Sequence, residues 1–472
     1  MLTKGLTGNL VAYDKFFTKD SPCSDTSCPT FSQIRIMKLH AIAIGLATSL
    51  GASLFAGETL RLKVEPDHEY LLAGSPQEVV VKIDLLAEAH KKKSKRTPLN
   101  LAVVLDRSGS MAGAKIEKAR QAAMELVDRL ALDDFLSFVI YSDRAEVVFP
   151  AQPVEDKEAL KARIARVQTH GSTALYAGVQ LGAEQVQRHL GSRRINRVIL
   201  LSDGLANVGP SSPAELRRLG GNLSERGVSV TTIGVGDDYN EELMAGLAEA
   251  SDANYYYVKD TEKLPEIFAK ELGEMLTVAA REIRIEITCP EGIRPLGLIG
   301  RPEKFDHQRA TVQLSQLTSA QNRYLFLRCQ AEGNEPELAH IKVRYLDEMN
   351  GGAERIVNDK ATVRYTSDPK QVESSVRPEI AAQRELFVTA VAKSEALACA
   401  DAGNYEQAAQ KLERQAKALD SQCLTAPAPL QTQLRDEISN LRLRSDELRK
   451  NQYDAGARKS LQNESWTVRN SK

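Results

Sequence analysis

The sequence predicts a doubly wound, mostly parallel α/β sheet that is inserted into a β-sandwich and followed by a C-terminal helical hairpin region. Between residues 100 and 278, short apolar runs alternate with helical periodicity, which is typical of a doubly wound sheet. On both sides of that segment, apolar and polar residues alternate, as they do in half-buried antiparallel strands. After Pro369 long helical patterns take over, and the 472 residues are enough for several domains.

The start of the chain has the pattern of a targeting segment. Met37 to His40 precede an uncharged run from Ala41 to Ala56 that is rich in Ala, Leu and Ile, as in a secretory signal peptide at 37–56. The run is too short for a comfortable membrane span. Residues 1–36 lack sustained periodicity, and we interpret them as a start-site overcall or as a long leader. We therefore expect a secreted or periplasmic chain without an integral membrane span.

The balance of charge argues against two classes of partner. The chain has 62 basic and 63 acidic residues, so its bulk charge gives no reason to expect nucleic acid or a membrane surface. Aromatic residues make up 5% of the chain and Trp466 is its single tryptophan, which argues against a surface that stacks on bases or sugars. The basic segment His90 to Arg96 is either a solvated linker or a patch for polyanions.

Two blocks with alternating patterns, residues 57–99 and 279–367, predict the sandwich. The first block has only two strands, which cannot cover a core alone, so we expect one sandwich built from both blocks with the α/β segment 100–278 inserted between them. The predicted strands are Thr59–Val64, Glu78–Leu85, Ile283–Ile287, Ala310–Leu314, Tyr324–Leu327, Ile341–Tyr345 and Ala361–Tyr365.

Strands and helices alternate within the α/β segment. A Ser-Asp turn joins the runs Phe138–Tyr141 and Glu146–Phe149, so the two are predicted to pair as antiparallel strands. The predicted strands are 101–105, 136–141, 144–149, 197–201, 229–235 and 255–258, and the predicted helices are 115–131, 157–167, 174–190, 213–226, 241–250 and 262–276.

Residues 369–452 are predicted to be helical, with helices at 378–402, 405–419 and 430–450. The segment Gly403 to Ala408 is similar to the turn and second-helix start of a tetratricopeptide unit, but arrays of such units need about three copies to bury a continuous face. A plain helical hairpin is the alternative. We expect the polar segment 453–472 to be a flexible tail.

Oxygen-bearing side chains lie at the ends of three of the predicted elements. Asp106, Ser108 and Ser110 alternate after the apolar run Leu101 to Leu105, so an extended turn can aim three oxygens at one point. Thr173 opens a helix, and Asp203 ends another apolar run. Hard oxygen ligands suit Mg²⁺, Mn²⁺ or Ca²⁺ rather than zinc. The first loop taken alone is also compatible with an Asx turn and a serine N-cap.

At these residues the sequence resembles the von Willebrand factor type A family. That family builds a metal-ion-dependent adhesion site from Asp-x-Ser-x-Ser, a distant Thr and a more distant Asp. The resemblance implies that both serines and Thr173 bind the ion directly and that at least one aspartate binds through water. The matching positions, in order, are Asp106, Ser108, Ser110, Thr173 and Asp203.

The charges in this set predict how the site would bind a partner. Two aspartates neutralise a divalent ion and the hydroxyls add no charge, so a carboxylate from an Asp or Glu of a partner protein best fills the open position. Residues on the rim would supply specificity, and the resemblance suggests that helix 262–276 passes movement to the sandwich strand that begins near Arg281. The predicted rim residues are Arg107, Met111, His170, Leu205 and Asn207.

We considered two other functions. A structural assembly subunit would use metal-independent contacts. A hydrolase would use Ser108 or Ser110 as its nucleophile, but His170 is the only histidine near these loops and the Gly-x-Ser-x-Gly elbow is absent from the sequence. An aspartyl nucleophile at Asp106 would lack the second carboxylate that phosphotransfer needs. We therefore predict no catalytic residues.

Four cysteines remain after the predicted signal peptide, and an exported chain would meet an oxidising environment. Cys289 and Cys329 each close a strand-like run, whereas Cys399 and Cys423 flank a helical hairpin. We predict these two local disulfides, with four free thiols as the alternative.

Overall fold

The α/β part of the molecule is a single six-stranded sheet in the order β6-β5-β4-β7-β8-β9. The structure is a computed structural model that describes residues 59–89, 96–190, 194–450 and 453–469. The predicted leader, the signal peptide and most of the basic segment at 90–96 lie outside these ranges. Only β6 is antiparallel, and it pairs with β5 at the edge. The strands are β4 (Leu99–Asp106), β5 (Phe135–Tyr141), β6 (Ala145–Pro153), β7 (Ile195–Ser202), β8 (Ser229–Val235) and β9 (Tyr255–Val258).

Helices cover both faces of this sheet. Alternate residues of β4 point into two separate cores: Leu101 and Val103 pack with α1 and α6, while Ala102 and Val104 pack with α3 and α4. Every residue of β4 is buried, as expected for the central strand of a doubly wound sheet. The helices are α1 (Ala114–Arg129), α2 (Lys157–Ala165), α3 (Leu175–Gln187), α4 (Pro213–Glu225), α5 (Glu241–Ala250) and α6 (Leu264–Leu276).

Two glycines explain how closely α3 approaches the sheet. A methyl group added at Gly182 would lie 2.4 Å from Val104 Cγ2, and one added at Gly178 would lie 2.7 Å from the Tyr141 ring. Both positions therefore require glycine. This close packing fixes the position of α3, which begins two residues after Thr173.

Two four-stranded antiparallel sheets pack face to face and form the sandwich. Their strand orders are β1-β3-β13-β11 and β12-β10-β14-β15. Their shared core contains Val81 and Ile83 from one sheet and Ile285 and Val343 from the other. The α/β segment lies between β3 and β10 in the chain. The remaining strands are β1 (Leu60–Pro66), β2 (Tyr70–Leu72), β3 (Gln77–Ala87), β10 (Val278–Thr288), β11 (Ile293–Leu298), β12 (Arg309–Thr318), β13 (Asn322–Ala331), β14 (Glu337–Asp347), β15 (Ala353–Thr362) and β16 (Arg364–Thr366).

The C-terminal part is helical, and its last helix corrects the prediction of a flexible tail. Residues Ala455–Arg469 form α11, which buries Trp466 against Tyr255 of the α/β sheet. Ion pairs also hold this helix, because Lys459 Nζ donates to Glu241 of α5 at 3.0 Å. Among the described helices none is both long and apolar enough to cross a membrane. The others are α7 (Pro369–Ser374), α8 (Pro378–Asp401), α9 (Tyr405–Cys423) and α10 (Ala428–Arg449).

The four cysteines in the described part of the chain, Cys289, Cys329, Cys399 and Cys423, are free thiols. The prediction of a bond between Cys399 and Cys423 is wrong because α8 and α9 are antiparallel. Cys399 lies just before the turn between them, whereas Cys423 is the last residue of α9. At 1.5 Å per residue the two are separated by roughly 25 Å along the hairpin. Cys289 and Cys329, by contrast, are both buried in the sandwich core and their thiols contact each other, so a disulfide between them stays a prediction.

Candidate metal centre

The predicted metal ligands lie at the carboxyl edge of the sheet, where β4 and β7 are neighbours. After β4 the chain moves outward to β5 and β6 and then returns to β7 on the other side of β4. The helices that follow β4 and β7 therefore leave toward opposite faces, which opens a crevice between the two strand ends. Asp106 ends β4, and Asp203 directly follows the last residue of β7.

Backbone hydrogen bonds connect the three loops at this edge. His170 N donates to Arg107 O at 2.8 Å, and Gly109 N donates to Gly171 O at 3.1 Å. Thr173 N donates to Asn207 Oδ1 at 2.8 Å, which links the start of α3 to the loop after β7. These hydrogen bonds connect the three loops to one another.

The structure brings all five predicted ligands together. Ser110 Oγ donates to Asp203 Oδ1 at 2.7 Å, and the hydroxyl oxygens of Ser108 and Ser110 are 3.1 Å apart. Asp106 accepts from Ser108 N at 2.8 Å. A methyl group added at Gly204 would lie 3.3 Å from Ser110 Oγ and 3.4 Å from Thr173 Oγ1. Ser110 Oγ therefore lies near both the Thr173 hydroxyl and the Asp203 carboxylate, and oxygens of these two kinds are the ligands that hard cations prefer.

Both carboxylates are completely buried, yet they differ in their partners. Among the described residues, the donors to Asp106 are neutral and include the amide of Ser108 and the hydroxyl of Ser202, the latter at 2.8 Å. Burial raises the pKa of Asp106 to about 6, against the effect of these hydrogen bonds. Asp203 instead accepts from the ammonium of Lys115 at 2.5 Å. An additional cation at Asp106 would therefore relieve an unfavourable buried charge.

The donor set matches the chemistry of Mg²⁺, Mn²⁺ or Ca²⁺. It consists of oxygens alone, and carboxylates supply only two of them. Within the described ranges, no group of three or more His, Cys, Asp or Glu side chains could hold a metal ion. The identities of the ligands and of the ion stay predictions.

The predicted rim residues differ in exposure, and their role in binding a partner stays a prediction. His170, Leu205 and Asn207 are exposed, and Arg107 is half-buried with its guanidinium 3.5 Å from Glu146. The prediction that Met111 lies on the rim is wrong, because its side chain is fully buried in the core shared with α1 and α6. Its helical turn points the side chain beneath the loop rather than toward solvent.

Sequence reasoning missed several residues that shape the site. Ser202 holds Asp106, and Asp143 accepts from Ser172 N at 2.9 Å at the edge of the loop. That backbone hydrogen bond holds the pKa of Asp143 below its ordinary value. Lys115, which donates to Asp203, was also missed. Its position as the second residue of α1 could have revealed it, because the positive end of a helix disfavours a cation unless an anion lies nearby.

Comparisons with known proteins agree with this geometry. Residues 100–270 match the family model of the von Willebrand factor type A domain. An uncharacterised protein of Synechocystis sp. is 26% identical over 366 residues, which are 73% of this chain and 84% of that protein. The Escherichia coli protein YfbK is 30% identical over 224 residues, or 46% of this chain, and this match spans 39% of that relative's length.

A solved structure shares the fold over most of the chain. The von Willebrand factor type A protein from Catenulispora acidiphila superposes with a TM-score of 0.66 at 18% identity, covering 86% of this chain and 96% of that one. At this identity the likeness concerns the fold alone. The residues that match the family model, 100–270, contain nearly all of the six-stranded sheet.

Proposed function

We propose that this chain is an exported, divalent-metal-dependent protein-binding module that captures a partner carboxylate, in adhesion or in assembly. The observation that carries this proposal is the convergence of two buried carboxylates and three hydroxyls from three loops at one edge of the sheet. Such a set neutralises a divalent ion without surrounding it. The preferred ion is Mg²⁺, with Mn²⁺ and Ca²⁺ as alternatives.

Each residue has a defined role in this proposal. Ser108, Ser110 and Thr173 would hold the ion directly, and Asp106 and Asp203 would supply charge, at least one of them through water. A bound ion supplies a Lewis-acidic position for an Asp or Glu oxygen of the partner. Ser110 is exposed, so that position is open to solvent. Exposed side chains beside it, among them Leu205 and His170, would contact the partner's neighbouring residues.

We also propose that the module is not itself an enzyme. Ser108 and Ser110 hydrogen-bond to each other and to Asp203, and in the described part of the chain no histidine hydrogen-bonds to either hydroxyl. A serine without a base is a weak nucleophile. Export is proposed from the signal-peptide pattern at 37–56.

Metal binding is tested by calorimetric titration of residues 56–472, which belong to one compact unit. Wild type should take up about one Mn²⁺ or Mg²⁺ per chain with modest affinity, since such sites keep several waters. Asp106→Ala should remove this uptake. Asp128→Ala is the matched control, because Asp128 is an exposed aspartate that pairs with Lys161 and lies away from the site. Absence of uptake at millimolar metal would contradict the proposal.

Partner capture is tested by retaining extracellular or periplasmic proteins on immobilised wild type and Asp106→Ala. Wild type should retain partners in Mg²⁺ and release them in EDTA, whereas Asp106→Ala should retain none of these. Equal retention by both proteins, with or without EDTA, would favour an assembly subunit with metal-independent contacts. Turnover of esters or phosphoesters would favour the hydrolase alternative.

A further inference from the structure

The ammonium of a lysine lies beside the proposed metal centre. Lys115 is the second residue of α1, and its ammonium donates to Asp203 Oδ2 at 2.5 Å. The Asp203 side chain is completely buried, while the Lys115 side chain is 25% exposed. A cation is unfavourable in the first turn of a helix, where the backbone dipoles already present positive charge. Asp203 compensates for that location, and Lys115 in turn compensates for the burial of Asp203.

This contact leaves Asp203 with an internal donor on each oxygen. Ser110 donates to Oδ1 at 2.7 Å and Lys115 donates to Oδ2. Ser110 can rotate its hydroxyl hydrogen away and offer a lone pair to a metal, because a hydroxyl both donates and accepts. An ammonium has no lone pair and keeps its positive charge, so Lys115 cannot adapt in the same way.

The surrounding loop keeps the ammonium close to the site. A methyl group added at Gly236, just after β8, would lie 3.6 Å from Lys115 Nζ, so the ammonium lies between Asp203 and this loop. The stem of Lys115 starts from the first turn of α1. A divalent ion at the centre would therefore feel repulsion from a fixed positive charge nearby.

We propose that Lys115 is a built-in counter-ion that competes with the divalent metal for Asp203. It stabilises the metal-free site and keeps metal affinity low enough for the ion to exchange. This inference rests on the proposed metal site and adds the residue that sets its affinity. Without Lys115 the site would carry two uncompensated buried carboxylates, which would bind a divalent ion more tightly and be less stable without one.

The test compares Lys115→Met with wild type in residues 56–472. Methionine keeps the apolar stem and removes the charge. Calorimetry with Mn²⁺ should show at least about a tenfold tighter dissociation constant, the expected size for removing one like charge near a partly buried ion. The thermal midpoint in EDTA should fall, while the midpoint in saturating Mn²⁺ should fall much less. A merely structural lysine would lower both midpoints alike and would not tighten metal binding.

Two further variants keep the result interpretable. Lys118→Met is the matched control, because Lys118 lies one turn later on α1 and pairs with Glu262 away from the site, so both readouts should stay near wild type. Lys115→Gln also removes the charge and should tighten Mn²⁺ binding by a similar factor. It replaces Lys115→Met in the test if the methionine variant does not fold. Unchanged or weaker Mn²⁺ binding in the neutral variants would overturn the role of Lys115. Absence of Mn²⁺ uptake by every variant and wild type would instead overturn the metal site itself.

Discussion

At the residue scale, the two buried aspartates of the site differ in the groups that compensate their charge. Lys115 pairs with Asp203, whereas in the described part of the chain Asp106 has hydrogen bonds but no ion pair. Burial raises the pKa of Asp106 from 3.8 to about 6. In the metal-free protein, the folded state therefore keeps a proton on Asp106 between roughly pH 4 and 6, where the unfolded chain has lost it. The Asp106 carboxylate destabilises the fold progressively over that interval and fully above pH 6.

Asp106→Asn should consequently stabilise the metal-free protein at pH 7.5. The amide oxygen can accept from Ser108 N, and the amide nitrogen can donate to Ser202, whose hydroxyl rotates. The gain in the free energy of unfolding should be about 3 kcal/mol at most above pH 6 and should vanish near pH 4. Urea denaturation in EDTA at several pH values measures it. A less stable Asn variant at pH 7.5 would mean that the ionised form of Asp106 is stabilising.

The sequence was most informative about those site residues whose position follows from the backbone pattern. Apolar strands that end in Asp106 and Asp203 must bring these side chains to the same edge of a parallel sheet, so the convergence could be predicted. Ser202 could not, because the role of its hydroxyl depends on the neighbouring strand. Met111 was misplaced because a helical turn after Ser108 rotates it into the core. The role of a residue that acts through tertiary contacts cannot be predicted from the local periodicity of the sequence.

At the scale of elements, α11 shows where sequence patterns are weakest. Its apolar content is low, and much of its docking comes from Lys459 with Glu241 and from Glu464 with Lys393 of α8, at 2.8 Å. Such pairs join residues that are far apart in the chain and leave no local pattern in the sequence. A polar segment without a local pattern is therefore predicted to be a flexible tail. The helix α9 was predictable because its buried residues recur at helical spacing, and the strand β8 was predictable as a short, fully buried run.

Trp466→Ala tests whether α11 is part of the folded core. The ring is 3% exposed and packs edge-on against Tyr255 at 6.4 Å between centroids. Removing it should lower the free energy of unfolding by about 3 kcal/mol or more, as for other buried aromatic truncations. Circular dichroism in urea measures the loss, since this variant has no tryptophan left to report by fluorescence. Gln462→Ala on the same helix is the control, and an effect as small as the control's would contradict a docked helix.

At the scale of the whole molecule, the α/β sheet and the sandwich share a polar junction. Arg323 of β13 pairs with Asp252 after α5 at 3.1 Å, and Thr97 Oγ1 donates to Glu348 beside β14 at 2.6 Å. Arg281 of β10 also bonds to Glu348. Only Thr277 separates the end of α6 from the start of β10. A displacement of α6 would therefore be transmitted directly into a strand of the sandwich.

The core provides a physical route from the metal centre to that helix. Met111, under the site loop, packs in the same cluster as Phe268 and Leu272 of α6. The far half of α6 is anchored by Glu271, which accepts from Thr231 at 2.6 Å and lies 3.6 Å from Arg197. These contacts attach the far half of α6 to the sheet, so a displacement of α6 toward β10 would have to rearrange them.

Hydrogen exchange with and without metal tests this coupling between the site and the sandwich. If metal binding shifts the population between two positions of α6, amide protection should change at Leu264–Leu276 and at Glu282–Ile287. Asp106→Ala in the same metal concentration is the control and should match the metal-free wild type. The far strand β11 should stay constant, because it lies in the opposite sheet and borders only β13. Unchanged protection in both segments on adding metal and partner would leave a rigid module, in which ligand capture at the sheet edge has no mechanical consequence for the sandwich.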